Sequence, residues 1–354
     1  MTDDGSRHLP ASAFRLARPS PEALVAWPED FGTRFTVFVD TEEEFDWRGP
    51  FNRGARATTA AAALPAAHHR FADHGTPLTF LIDHPIVSDP AAVAHLQAAI
   101  ADGRSAVGAQ LHPWVNPPFD EEVSSINSFP GNLPATLEGA KIAVLTAAIA
   151  DAFGRHPRIY RAGRYGIGPN TARLLAAQGY VADSSVRSRY DYSASDGPDF
   201  RAVGNAVYRF GPDNILLELP LTTVFAGMAR GGGQRLYHAL SRLPKALGAA
   251  ARAGLLSRVA LTPEQMPIAD ATEAIRVAVG QGLRLLNFSF HSPSLVPGHT
   301  PYVRDGADLA AFWRWWDEVL ALLAQLGVAS ASLDELLAVA AAQPPSLPQG
   351  AAIR

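Results

Sequence analysis

The sequence predicts a parallel α/β fold of barrel type, with its chemistry gathered on the loops that follow the strands. Three observations predict it. From residue 33 onward, short apolar, β-branched runs alternate with alanine-rich helical stretches. Several of those runs end in an ionisable side chain, and a chain of 354 residues, 47% of them hydrophobic, is long and apolar enough to bury a sizeable core.

The elements follow in order. Residues 1–32 carry Pro10, Pro19, Pro21 and Pro28 among short polar pieces and read as an N-terminal arm lying on the domain. FTVFVD (35–40) has the form of a buried parallel strand that presents an acid at its C-terminal end. A helical stretch, 57–73, comes next. PLTFLID (77–83) repeats the strand form and 88–102 the helical one, with Asp89 and Pro90 as its start and Gly103 as its stop. Strand 105–112, helix 134–153, strand 158–163, helix 169–178 and strands 180–185, 215–221 and 283–291 continue the series, which helix 307–326 and strand 328–333 close. Residues 33–335 are therefore expected to form the barrel and 336–354 a C-terminal tail.

Composition removes several function classes. With no cysteine the chain has no disulfide, thiolate-zinc site, iron–sulfur cluster or cysteine nucleophile, so any metal must sit on oxygen and imidazole. The 30 Lys+Arg against 34 Asp+Glu supply no overall basic field, which argues against nucleic acid as a partner. The start lacks a basic n-region and an apolar h-region, and no run approaches the ~18 apolar residues that cross a bilayer. A cytoplasmic location is expected. GGG at 231–233 lacks the Lys-Ser/Thr of a phosphate loop, and neither GxGxxG nor GxSxG occurs.

The strand ends carry Asp40, Asp83, His112, Arg161, Asp183 and His291, where a (β/α) barrel gathers its site. Asp40 opens VDTEEEFDW, whose crowded acids favour a bound cation or a basic neighbour. His112 lies in GAQLHPWVNPPF, Arg161 in RAGRYGIG, Asp183 in VADSSV and His291 in FSFHSPS. With these five segments the chain, over about 33–335, resembles the polysaccharide deacetylases with a NodB-like homology domain, and more narrowly their WalW-like branch.

The resemblance implies a distorted (β/α) barrel of the glycoside hydrolase/deacetylase type. It also implies a hydrolase of carbon–nitrogen, non-peptide bonds that removes acetyl from an N- or O-acetylated carbohydrate, in cell-surface polysaccharide or lipopolysaccharide metabolism. Asp40 takes the place of the general base, Arg161 (or Arg164) that of the arginine held against it, and Asp183 that of the acid that orients His291, which protonates the leaving amine. The implied cofactor is a divalent metal, zinc first and cobalt, nickel or manganese next, on Glu42 (or Glu43) and His112. Where the family has a second histidine four residues on, this chain has Asn116. An amide oxygen suits a harder ion better than zinc, and water, Asp83 or a lost metal are the other readings of that position.

Trp47, Trp114, Tyr165 and Tyr302 neighbour these segments and are candidates to stack on a sugar ring, with His299 as a further substrate contact; core packing is the plainer reading of the aromatics. Trp313, Trp315 and Trp316 sit at helical spacing and read as packing. Between Glu218 and Glu264 the chain has no acid, while Arg230, Arg235, Arg242, Lys245, Arg252 and Arg258 run through it. This basic helical insertion, 222–265, reads either as a solvated lid or as a stretch, 230–258, that meets a phosphorylated or lipid-linked sugar at a membrane face. Two rivals stand beside the deacetylase: a glycoside hydrolase using two acids among Asp40, Glu42 to Glu44 and Asp183, and a metal-free barrel that only binds glycan.

Overall fold

The computed structural model describes residues 14–343. The first part of the expected arm and the end of the expected tail lie outside them.

The strands are β1 (Arg34–Thr41), β2 (Leu78–Ile82), β3 (Ala106–Leu111), β4 (Ile159–Ala162), β5 (Ala182–Asp183), β6 (Tyr208–Phe210), β7 (Leu216–Glu218), β8 (Thr223–Ala226), β9 (Ser257–Ala260), β10 (Leu285–His291) and β11 (Ala329–Ser330). The helices are α1 (Leu64–Ala72), α2 (His84–Ser88), α3 (Pro90–Ile100), α4 (Ala135–Phe153), α5 (Thr171–Ala177), α6 (Gly233–Ser241), α7 (Ala246–Arg252), α8 (Ile268–Gly280), α9 (Gly306–Gln325) and α10 (Leu333–Ala341). One curled sheet runs β10-β1-β2-β3-β4-β5-β7-β6, parallel except for the antiparallel β6–β7 pair, with β11 beside the start of β1. The gap between β7 and β10 is bridged by single backbone bonds: the Thr222 amide donates to the Asn287 carbonyl at 3.1 Å, and the Ser289 amide to the Leu261 carbonyl at 3.1 Å. The result is the distorted (β/α) barrel that the alternation predicts.

Period-2 alternation sorts each strand between two layers. Val37, Val39, Phe288 and Phe290 point outward into the core beneath the helices, where Phe71 and Trp316 meet Phe290 at centroid distances of 6.0 and 5.7 Å. Phe38, Leu81, Ile159 and Leu217 fill the interior, stopped from below by Leu333, Leu336 and Leu337 of α10. A barrel plugged at one end leaves its polar inner positions to the other. There β1 carries Asp40 next to its last residue, β4 carries Arg161 and β10 ends in His291, and parallel pairing sets Asp40 directly opposite His291. The boundary expected at 335 falls inside α10, whose start is fixed by a reciprocal Ser332–Glu335 cap.

Three short strands depart from the expected alternation. β6 pairs backward on β7 and is itself bridged by Leu24, so the described part of the arm covers the sheet edge. β8 and β9 form a separate antiparallel pair that brackets α6 and α7. The basic insertion is thus a small strand–helix–helix–strand unit, its helices packing Leu236, Tyr237 and Leu240 over Phe225, Ala250 and Leu256.

Candidate active site

The inner ends of β1, β3, β4 and β10 open into a cavity of about 320 Å³, at the low end of small-molecule sites. Asp40 is buried on its floor. Its Oδ1 accepts from Arg161 Nη1, while its Oδ2 faces His291 Nε2 at 3.7 Å. Arg161 is itself pinned by the Ser184 carbonyl at 2.8 Å, the Ser289 hydroxyl at 2.8 Å and the Ser184 hydroxyl at 2.9 Å. A guanidinium fixed at three points holds one carboxylate oxygen and leaves the other free for the cavity.

His291 is backed by Glu264. The Oε2 of Glu264 lies 2.6 Å from His291 Nδ1, and its Oε1 accepts from the Ser294 hydroxyl at 2.6 Å. Burial lowers the imidazole's proton affinity, but the charges of Glu264 and Glu42 and the hydrogen bond it donates to Glu264 outweigh it and push the pKa up to about 10. His291 is therefore a cation that presents its Nε2 proton to the cavity. Asp183, expected in Glu264's place, is not in the cavity. It takes the Ser185 hydroxyl at 2.5 Å, and that same hydroxyl receives the Ala162 amide at 2.8 Å, so Asp183 ties β5 to β4. With Glu218 alongside, burial raises the pKa of both acids.

On the opposite wall stand Glu42, Gln110 and His112. Glu42 is buried; its Oε2 accepts from Gln110 Nε2 at 3.1 Å and lies 3.6 Å from His112 Nε2, and its Oε1 has no partner. Burial raises its pKa to about 7. Glu43 points the other way, beneath the histidine: its Oε2 lies 2.8 Å from His112 Nδ1, its Oε1 accepts the Trp114 indole at 2.8 Å, and its amide donates to Asp83 at 2.8 Å. Burial pushes Glu43 up to about 8 and raises Asp83 as well. Asp83 also caps α2 through the Ile86 amide at 2.9 Å.

Glu43, Asp83 and His112 offer one atom each within 4.8 Å of one another, enough to be a metal group by proximity. Their atoms are already engaged in hydrogen bonds outside the cavity, which makes Glu43 and Asp83 the support behind His112. Facing the cavity are His112 and Glu42, whose Nε2 and Oε2 lie 3.6 Å apart, with Glu42 Oε1 unpartnered; Gln110 turns its Nε2 toward both, 3.1 Å from Glu42 Oε2 and 3.3 Å from His112 Nε2. Asn116 does not line the cavity. Its amide nitrogen donates to the Pro117 carbonyl at 2.7 Å and the Lys141 carbonyl at 3.0 Å, and its buried Oδ1 has no partner.

Of the expected substrate contacts, Trp47, Tyr165 and Tyr302 line the cavity, and Trp47 meets His291 edge-on at 4.9 Å. Trp114 reaches it while stacked on His112 at 4.4 Å, so its face is already used. His299 does not line it; its Nδ1 lies 3.3 Å from Glu44. Arg164 lines the cavity but leaves Asp40 to Arg161. Glu264 was the residue that sequence reasoning missed. It follows SRVALTP, an apolar run of strand type with an acid just beyond its end, and it also ends the acid-free stretch.

Comparison with protein-family models finds no match to this sequence, and comparison with curated proteins finds none. Solved structures do match in shape. A protein assigned as a polysaccharide deacetylase from Mycobacterium smegmatis is 17% identical with a TM-score of 0.52, over 94% of this chain and 99% of that one. A probable polysaccharide deacetylase from Pseudomonas aeruginosa PAO1 is 13% identical with a TM-score of 0.51, over 90% and 94%. PuuE allantoinase is 13% identical with a TM-score of 0.53, over 93% and 100%. The chain has the fold that these deacetylases and the allantoinase share.

Proposed function

We propose that the cavity hydrolyses the acetyl amide, or acetyl ester, of a carbohydrate, as a deacetylase close to the WalW-like branch. One observation carries this reading: Asp40 and His291 stand opposite each other on adjacent strand ends, each held by its own partner, and face Glu42 and His112 across one cavity. Asp40, oriented by Arg161, is placed to take the proton of the attacking water through Oδ2. His291, kept charged by Glu264, is placed to stabilise the oxyanion and to give its Nε2 proton to the leaving nitrogen. Trp47 and Tyr302 flank the His291 ring at the cavity wall.

Glu42 and His112 would hold a divalent cation, zinc in the first place, with cobalt, nickel or manganese as alternatives. Such an ion polarises a carbonyl and lowers the pKa of water. The setting we propose is cytoplasmic, in cell-surface polysaccharide or lipopolysaccharide metabolism, with a phosphorylated or lipid-linked sugar as partner. Asp40→Asn tests the core of the reading. It keeps the shape of the side chain and removes the base, so acetate release from N-acetylated sugars should fall by about 10²-fold or more with melting temperature nearly unchanged. Full activity in this variant would remove Asp40 from the chemistry.

A further inference from the structure

The acids of the cavity are accounted for: Asp40 is held by Arg161, Glu264 by His291 and Glu42 by Gln110, while Asp46 takes the Arg48 amide at 2.9 Å. Two of its cations carry no counter-charge. Arg187 and Arg164 both line it, and among the described residues neither forms an ion pair with a carboxylate. The Nε of Arg187 is shut off from solvent without an acceptor of its own, and the nearest polar side chain to the guanidinium is the neutral hydroxyl of Tyr192. No carboxylate or backbone carbonyl among the described residues accepts a hydrogen bond from the Arg187 guanidinium.

Aromatic rings fix that guanidinium in place. Its centre lies 4.0 Å from the centroid of Tyr190 and 5.8 Å from that of Tyr165. Arg258 sits on Tyr190 as well, at 3.6 Å, and its Nε is likewise buried and unpartnered. Two like charges thus share one ring with no acid between them. Ring faces attract a cation but accept none of its N–H groups in the plane of the fork. A guanidinium clamped by its faces keeps its edge pre-organised for a carboxylate or a phosphate. The cavity therefore has two poles, an acceptor-rich one at Glu42 and His112 and a cationic one at Arg187.

We propose that Arg187, with Arg164 near the same Tyr192, binds an oxyanion carried by the substrate itself, so that the cavity takes a small acylated sugar acid or sugar phosphate in preference to a neutral sugar. The nature of the acylated part rests on the deacetylase reading; the anion subsite does not.

Calorimetric titration separates the two. The probes are N-acetylmuramic acid, N-acetylglucosamine 6-phosphate and neutral N-acetylglucosamine, against the wild-type protein, Arg187→Gln and Arg187→Lys. At least one acidic probe should bind the wild type about tenfold or more tightly than the neutral sugar, the scale of a charge-assisted contact. Arg187→Gln should erase that preference and leave neutral-sugar binding within about twofold; Arg187→Lys should restore part of it. Which acid binds better distinguishes carboxylate from phosphate. If Arg187→Gln does not fold, the wild-type preference must still fall as salt rises. Equal binding of all three probes, no saturable binding of either acid, or a preference that survives in Arg187→Gln overturns the proposal. Acetate release read on the same samples keeps the failures apart, since preference without release counts against the deacetylase alone and release without preference against the subsite alone.

Discussion

Glu264 sets the protonation state of His291, and removing its charge gives a direct reading of the pair. His291 is raised above its ordinary value of 6.5 to about 10, because the attraction of Glu264 and Glu42 exceeds the cost of burial. Glu264→Gln keeps a hydrogen-bond acceptor and deletes the charge, so the imidazole should lose its proton at lower pH. An NMR titration of His291, or the alkaline limb of the pH–rate profile, should move to lower pH; an unchanged titration would mean that Glu264 only fills space. The same pair shows what the sequence could reveal. The sequence places Asp40, Arg161 and His291 at or near the ends of apolar runs, where a barrel of this kind gathers its polar residues, and all three line the cavity. Glu264 follows a strand of only four residues, Ser257–Ala260, too short to stand out from the basic helices before it, whereas the resemblance implies Asp183 for that place. Asn116 lies one turn past His112, its backbone amide donating to the His112 carbonyl at 3.1 Å, yet its side-chain nitrogen is taken by the Pro117 and Lys141 carbonyls and the residue does not line the cavity.

At the scale of elements, the parallel strands and α1, α3, α4, α5 and α9 follow from apolar periodicity, while α8, α10, β6, β8 and β9 do not. Strands of three or four residues give too few alternations to separate from loops, and their pairing partners lie far along the chain. The acid-free stretch did mark a real unit, with β8 and β9 as its base. That unit turns its apolar residues inward and leaves Met228, Leu243 and Leu255 exposed among Arg230, Arg242, Lys245 and Arg252, with Met228 77% exposed. Basic groups around a few exposed apolar side chains match an anionic lipid surface. Flotation with vesicles containing anionic lipid should carry the protein upward, neutral vesicles should not, and Arg235→Glu with Arg242→Glu should abolish the effect. No flotation in either case would leave the unit as a solvated lid.

At the scale of the whole molecule, the plugged barrel buries Glu42, Glu43 and Asp83 side by side behind and beside His112, and this links stability to pH and to cations. Glu42 and Glu43 are raised by burial from 4.5 to about 7 and about 8, and Asp83 is raised too. An acid whose folded-state pKa lies above its unfolded one binds its proton more tightly in the folded state, so folding gains from low pH. That gain is whole below about 4.5 and disappears progressively as pH rises through 7 to 8. The metal-free protein should therefore melt at lower temperature at pH 8 than at pH 5, with the loss falling mainly between those values. A divalent cation stabilises by mass action in proportion to its affinity for the folded state, and it competes with protons for Glu42 and His112. Its effect should be larger at pH 8 than at pH 5. Thermal melts at both pH values, with chelator and then with zinc or manganese, give four numbers. A cation-induced rise confined to the higher pH, and lost in His112→Ala, supports a metal held at the cavity wall. A rise of equal size at both pH values, or one that survives in His112→Ala, would place the ion elsewhere.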